Sequence, residues 1–206
     1  TLVYDVEHKG EIVTRLKLRV PGRHNVLNSL GAFITTYERY GVPVEAIQKA
    51  LSKFIGAKRR FETKGHVAGV WVVDDYAHHP TEIKATLKAA KELEKHRVIC
   101  VFQPHRYTRT QLLLKEFGTA FQAADELYIT NIYSAGEDSI PGIDGHTIPH
   151  MIEESTNQVV HYIDDVNDVP AELVKVVRPN DLVLTMGAGT INQYGPKLLA
   201  LLEEKR

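Results

Sequence analysis

From Phe61 onward, apolar runs of strand length alternate with segments of helical periodicity. That alternation restricts the chain to few folds. The runs lie at residues 67–73, 98–102, 127–130, 159–163 and 182–186. Between them, Ile83, Leu87 and Ala90 recur at helical spacing, as do Leu113, Phe117, Phe121 and Ala124. A polar loop to about residue 145 precedes a short helix over 148–154. Val166, Val169, Leu173, Val176 and Val177 mark another helix, and Leu198, Leu201 and Leu202 the inner face of a last one. Pro80 and Pro170 suit first helical turns. Strands and helices in this order predict an α/β fold with a mostly parallel, doubly wound sheet.

Residues 1–60 read differently. Residues 2–6 and 12–20 predict a hairpin around His8-Lys9-Gly10. A helix over 24–40 follows, with Val26, Leu30, Phe33 and Tyr37 at helical spacing and Gly41 as its cap. A second helix over 44–54 has Ile47, Ala50 and Leu51 on one face. Ile55-Gly56-Ala57-Lys58-Arg59-Arg60 then breaks the pattern as a linker, dividing the chain into 1–58 and 59–206. A lone hairpin is only marginally stable. With no Met before Thr1, the expectation is that these residues are the tail of a longer polypeptide.

The chain has 206 residues, 43% hydrophobic and 25% charged, with a net charge of −1, which excludes a disordered chain. Charges of both signs are interspersed, which argues against a nucleic-acid or polybasic membrane surface. The single cysteine, Cys100, lies inside an apolar run and reads as a buried strand thiol. No secretory signal or membrane-spanning run is evident, so the expected compartment is the cytoplasm.

Two polar clusters follow successive strands. The first is Asp74-Asp75-Tyr76-Ala77-His78-His79-Pro80-Thr81-Glu82, and the second is Gln103-Pro104-His105-Arg106-Tyr107-Thr108-Arg109-Thr110. Ligands of open α/β sheets bind at the carboxyl ends of strands. Arg106 and Arg109, three apart, can reach one anion, although a helix-start surface patch is the plain alternative. The spacings of zinc motifs are absent, so a metal is not expected on His78 and His79. In Gly22-Arg23-His24-Asn25-Val26-Leu27-Asn28, the polar side chains gather at a helix start. Helix capping is the plain reading and purine-edge recognition the functional one. Arg59-Arg60 is either a solvated pair or a phosphate clamp. Gly187-Ala188-Gly189 lacks the third glycine of a dinucleotide fingerprint and reads as a tight turn. No G-x-x-x-x-G-K-[ST] occurs.

Taken in order, Gly22-x-His24-Asn25-x-x-Asn28, Lys58-Arg59-Arg60-Phe61-Glu62, residues 74–82 and residues 102–110 resemble the Mur ligase family over essentially the whole chain. The resemblance implies the end of a central P-loop ATPase domain, then a Rossmann-like amino-acid-binding domain. Residues 74–82 and 102–110 are similar to those of the family member that joins L-alanine to UDP-N-acetylmuramate through an acyl phosphate, in peptidoglycan precursor synthesis. The relative that reattaches recycled muropeptides shares the first segment and is the alternative. On this resemblance, His24, Asn25, Asn28, Arg60 and Asp75 would contact ATP. Tyr76, His78, His105, Arg106 and Arg109 would surround L-alanine or the product. Mg²⁺ ligands would come from parts of the central domain outside these residues. Rival classes are a dinucleotide-dependent dehydrogenase and a non-catalytic nucleotide-binding domain.

Lacking a P-loop, the purified 206-residue chain is expected neither to hydrolyse ATP nor to form the L-alanine amide. Robust turnover in a phosphate-release assay would contradict that expectation.

Overall fold

The computed structural model describes residues 1–93 and 97–205. The chain divides into two compact units, Thr1–Lys58 and Arg59–Arg206. No helix among the described residues is long and apolar enough to cross a membrane.

In the first unit, β1 (Leu2–His8) pairs antiparallel with β2 (Glu11–Leu18). Lys9 and Gly10 both have positive φ, 52° and 86°, as a two-residue primed turn requires. Helix α1 (Arg23–Ile34) gives way to a π-helical turn at Thr35–Arg39, where the sequence predicts one continuous helix. The hydroxyls of Thr35 and Thr36 donate to the carbonyls of Gly31 and Ala32, at 2.9 and 2.8 Å. Such back-bonding competes with the helical ladder. After Gly41 comes α2 (Val44–Lys53), which buries Ile47 but leaves Ala50 exposed, against expectation. Val6, Leu16, Phe33 and Ile47 form this unit's core.

The second unit is a six-stranded sheet in the order β3-β4-β8-β5-β6-β7. Its strands are β3 (Glu62–Val67), β4 (Val70–Asp75), β5 (Arg97–Phe102), β6 (Glu126–Thr130), β7 (His161–Ile163) and β8 (Asp181–Met186). All neighbours are parallel except β3 and β4, which form an antiparallel hairpin at one edge. The run expected as one strand over 67–73 is therefore bent back at Ala68 and Gly69, with φ of 51° and 77°. Edge strand β3, ETKGHV, is too polar to register as a strand by hydrophobicity.

Alternate residues of the central strands feed opposite cores. Val98, Cys100 and Phe102 point with Leu182 and Leu184 toward one core; Ile99, Val101 and Val183 point toward the other. Helix α3 (Pro80–Glu92) supplies Ile83, Leu87 and Ala90 to the first core, with Ile148 and Ile152 of α6 (Thr147–Thr156). Helices α7 (Val169–Val176) and α8 (Tyr194–Glu204) cover the other face. Two-sided burial explains why the strands read as continuous apolar runs. Cys100 is wholly buried, and burial pushes its thiol far above its ordinary value. In α8, Leu199 rather than the expected Leu201 joins Leu198 and Leu202 in the core.

After β5 the expected single helix is two short ones, α4 (Tyr107–Leu112) and α5 (Leu114–Phe117), broken at Leu113. Phe121 and Ala124 lie beyond them but still reach the core. β8 enters between β4 and β5, so the exits of all three strands converge at one end of the sheet.

Leu87→Ala, at a fully buried position of α3, should cost about 2–5 kcal/mol by its transfer and cavity terms. Leu112→Ala, at an exposed position, should stay within about 0.5 kcal/mol of wild type. Urea titrations of both variants test whether the α3 face is the core.

Candidate functional site at the strand exits

At the end of β4, two carboxylates go under the surface. Asp74 is 0% and Asp75 4% exposed. Asp74 Oδ2 accepts from Arg59 Nε at 3.0 Å, and Oδ1 from the Thr185 hydroxyl at 2.9 Å. Arg59 Nη2 donates to the Gly187 carbonyl at 2.5 Å, and the Gly187 N–H donates to the Asp75 carbonyl at 3.1 Å. Both side-chain oxygens of Asp75 are taken by backbone: Ala77 N–H donates to Oδ1 at 2.8 Å and Phe61 N–H to Oδ2 at 2.7 Å. Burial pushes both carboxyls above their ordinary value, against Arg59 and Thr185 for Asp74 and against the two amides for Asp75.

This network fixes a strained linker. Arg59 and Phe61 are both left-handed, with φ of 58° and 48°. Non-glycine residues persist there only when their surroundings over-determine them. Arg59 O accepts from Tyr76 N–H at 2.7 Å, and its guanidinium lies over the Tyr76 ring at 4.8 Å. Arg60, between the two strained residues, is half exposed and reaches Glu82 at 3.5 Å. Gly187 is the residue the crossing requires: its φ is 144°, and a Cβ there would lie 2.7 Å from the Gln103 carbonyl oxygen.

The adjacent histidines of the first cluster separate. His79 caps α3, its Nδ1 accepting from Thr81 N–H at 3.3 Å. His78 turns to the strand exits. Its Nδ1 lies 3.0 Å from the Tyr76 carbonyl, and its ring meets Tyr76 edge-on at 5.4 Å. Glu82 Oε2 accepts from the N–H groups of His78 and His79 at 3.1 and 3.3 Å. Desolvation raises the Glu82 carboxyl, but these amides and the neighbouring His78 and Arg60 charges together hold it below its ordinary value.

The second cluster meets the first through His105, whose ring centroid is 6.1 Å from that of His78. Arg109, one turn into α4, folds back: Nη1 is 2.9 Å from His105 Nδ1 and donates to the His105 carbonyl at 3.1 Å. Burial, then the Arg109 charge, hold the His105 imidazole below its ordinary value. Tyr133, just after β6, stacks on His105 at 5.7 Å.

Arg106 takes a different partner. It caps α4 with φ 74° and its guanidinium meets Glu137 at 3.4 Å. The Glu137 carboxylate also accepts from the Thr108 N–H at 3.1 Å and hydroxyl at 2.7 Å. Arg106 and Arg109 thus bind different partners, and Arg109 is the one beside the histidines. Glu137 and Tyr133 escaped the sequence reading because both lie in the polar loop. Its one local signal is Ala135-Gly136, a turn with φ of 53° and 84° that presents Glu137.

In the first unit, α1 has Gly22 as its N-cap and no side-chain cap bond, so capping does not account for the asparagines. Asn25 Nδ2 donates to the Pro21 carbonyl at 2.6 Å, and His24 and Asn28 are exposed. No group of three or more His, Cys, Asp or Glu among the described residues can hold a metal. A cavity of about 690 Å³ lies at the opposite ends of β6 and β7, lined by Asp125, Glu126 and Gln158 among others, away from these clusters.

The Mur ligase, glutamate ligase domain model matches residues 59–189, the stretch holding both strand-exit clusters. The chain belongs to the Mur ligase family. It is 48% identical over 205 residues to the UDP-N-acetylmuramate–L-alanine ligase of Anaeromyxobacter dehalogenans, covering 97% of this chain and 43% of that protein. The corresponding protein of Pelotomaculum thermopropionicum is 46% identical, with 98% of this chain and 44% of the relative covered. The crystal structure of the Thermotoga maritima UDP-N-acetylmuramate–alanine ligase superposes with a TM-score of 0.81 at 32% identity, over 99% of this chain and 43% of that one. A murein peptide ligase from Psychrobacter arcticus gives 0.65 at 26% identity, over 92% and 39%. This Mur ligase chain thus spans less than half the length of the curated relatives it matches.

Asp75→Ala should orphan the buried N–H of Ala77, at about 1–3 kcal/mol, and the partly buried N–H of Phe61 at less. Arg60→Ala, at a half-exposed side chain, should cost far less. A urea midpoint for Asp75→Ala equal to that of wild type would contradict the linker-fixing role.

Proposed function

We propose that this chain is the carboxyl-terminal portion of an ATP-dependent ligase that joins L-alanine to UDP-N-acetylmuramate, in the cytoplasm, during peptidoglycan precursor synthesis. The observation carrying the reading is the continuous set Tyr76–His78–His105–Arg109 at the exits of β4 and β5, within a chain nearly half identical to proteins of that name. We assign residues 1–58 to the end of the ATP-binding domain and 59–206 to the amino-acid-binding domain.

ATP, with Mg²⁺ held by residues outside this chain, would supply the activation of the muramoyl carboxyl as an acyl phosphate. Toward ATP, His24 and Asn28 present exposed polar groups, while Asn25 fixes the turn before α1. Arg60 is the linker cation suited to a phosphate or ribose oxygen. Asp75, both of whose oxygens are taken by amides, acts by holding the segment that carries Arg60. Toward the amino acid, Arg109 and His105 are placed for its carboxylate, with Tyr76 and His78 beside them. Arg106 contributes more remotely, through Glu137. Fixing the carboxylate orients the amine by position rather than by covalent catalysis.

The test is a steady-state titration of each of the three substrates in the full-length ligase. Arg109→Lys keeps the charge but loses the planar fork. One charge-assisted hydrogen bond contributes about 1.5–3 kcal/mol, so the L-alanine KM should rise about ten- to a hundredfold. ATP and UDP-N-acetylmuramate should move much less. Arg106→Lys should have the smaller effect, since its partner is Glu137. An unchanged L-alanine KM in Arg109→Lys would sink the carboxylate assignment.

A further inference from the structure

Hydrogen-bond chemistry determines which nitrogen of each facing imidazole carries the proton. The partner of His78 Nδ1 is the Tyr76 carbonyl oxygen at 3.0 Å. A carbonyl only accepts, so Nδ1 must donate. In the neutral ring this leaves a lone pair on His78 Nε2. The partner of His105 Nδ1 is an Arg109 guanidinium nitrogen at 2.9 Å. A guanidinium only donates, so His105 Nδ1 must accept, and its proton sits on Nε2. The two rings lie 6.1 Å apart and are therefore set in opposite states, one presenting an acceptor and the other a donor.

We propose that His78 Nε2 accepts the proton that the incoming amino acid's ammonium must lose, while His105 Nε2–H donates to that substrate's carboxylate. This deepens, and rests on, the ligase reading above. The proton passes from the ammonium to Nε2, leaving a lone pair on the amine. That pair forms the C–N bond to the acyl-phosphate carbon, and the C–O bond to phosphate breaks with its electrons on the phosphate. The second proton leaves the new amide nitrogen to the departing phosphate.

Other nearby groups are already committed. The oxygens of Asp74 and Asp75 are taken by Arg59, Thr185 and two backbone amides. Those of Glu82 face Arg60 and the amides of His78 and His79. Glu137 is held by Thr108 and Arg106. His79 Nδ1 caps α3. Protonating His105 would set an N–H against the Arg109 guanidinium. Protonating His78 breaks nothing: its Nδ1–H stays on the Tyr76 carbonyl, with Glu82 Oε2 3.6 Å from Nδ1. The groups facing His78 are thus Tyr76 beyond β4, Glu82 of α3 with Arg60 behind it, and His105 beyond β5.

Two measurements test this. In nitrogen-resolved NMR of the imidazole rings of the 206-residue chain, under mildly alkaline conditions, His78 should carry its proton on Nδ1 and His105 on Nε2. The opposite tautomer at either ring overturns the proposal. In the full-length ligase, His78→Gln keeps a polar side chain but cannot take a proton. It should lower kcat about 10²- to 10⁴-fold, as loss of a general base does, with the L-alanine KM moving less than about tenfold. The variant's kcat should rise with pH, as free amine replaces the lost acceptor. An unchanged kcat, or a loss confined to KM, overturns the base role and leaves the ligase reading standing. Absence of L-alanine-dependent amide formation by the wild-type enzyme would overturn the ligase reading and this role together, whatever tautomers the NMR shows.

Discussion

Two adjacent carboxylates buried at the end of one strand are the constraint to which the rest of this site answers. Removing a charge from water is costly unless it is paired and hydrogen-bonded. Asp74 and Asp75 meet that demand in different ways. Asp74 takes a cation, Arg59, and a hydroxyl from the neighbouring strand, Thr185. Asp75 takes two backbone amides, one before β3 and one after β4. Between them they fix both ends of the β3–β4 hairpin and the start of the second unit. The left-handed conformations of Arg59 and Phe61 persist because this network leaves the linker no other path.

Strand parity carries that constraint outward. Because successive side chains alternate across a sheet, a central strand buried on both faces is apolar along its middle and polar only toward its ends. Polar chemistry therefore collects at the strand ends, and at the exits of β4 and β5 it forms the two clusters. Insertion of β8 between β4 and β5 brings three such exits side by side, and the Gly187 backbone joins them, accepting from Arg59 and donating to the Asp75 carbonyl. His78 and His105 meet although twenty-six residues and an intervening strand separate them along the chain.

The alternating αβ pattern was legible because buried parallel strands and amphipathic helices leave strong apolar signatures. What was lost obeys other rules. The polar edge strand β3 has little core to face, so hydrophobicity could not reveal it. The break at Leu113 preserves inward-facing Leu114 and Phe117, so periodicity alone cannot distinguish two helices from one. In the site, residue types and strand-end positions were readable, but partners were not. Asp75 was readable as an acid at a strand exit, but not as one bonded to two backbone amides. Its two amide donors come from segments whose approach only the folded chain defines. Arg106 and Arg109 looked equivalent at a spacing of three until the loop supplied Glu137 to one of them.

That separation of the two arginines has a chemical consequence. A guanidinium held by a carboxylate is a poor receptor for a second carboxylate, since its charge is already balanced. A guanidinium held by a neutral imidazole keeps its full charge for a ligand. Arg109 is in the second state, and by donating to His105 Nδ1 it also fixes that ring's proton on Nε2. Arg106 is in the first, and the same Glu137 carboxylate caps the first turn of α4, where it is favoured by the exposed N–H groups. One arginine thus holds the scaffold of the second cluster and the other lies beside its histidines. Exchange of their roles would require the loop to release Glu137 and leave the α4 start uncapped.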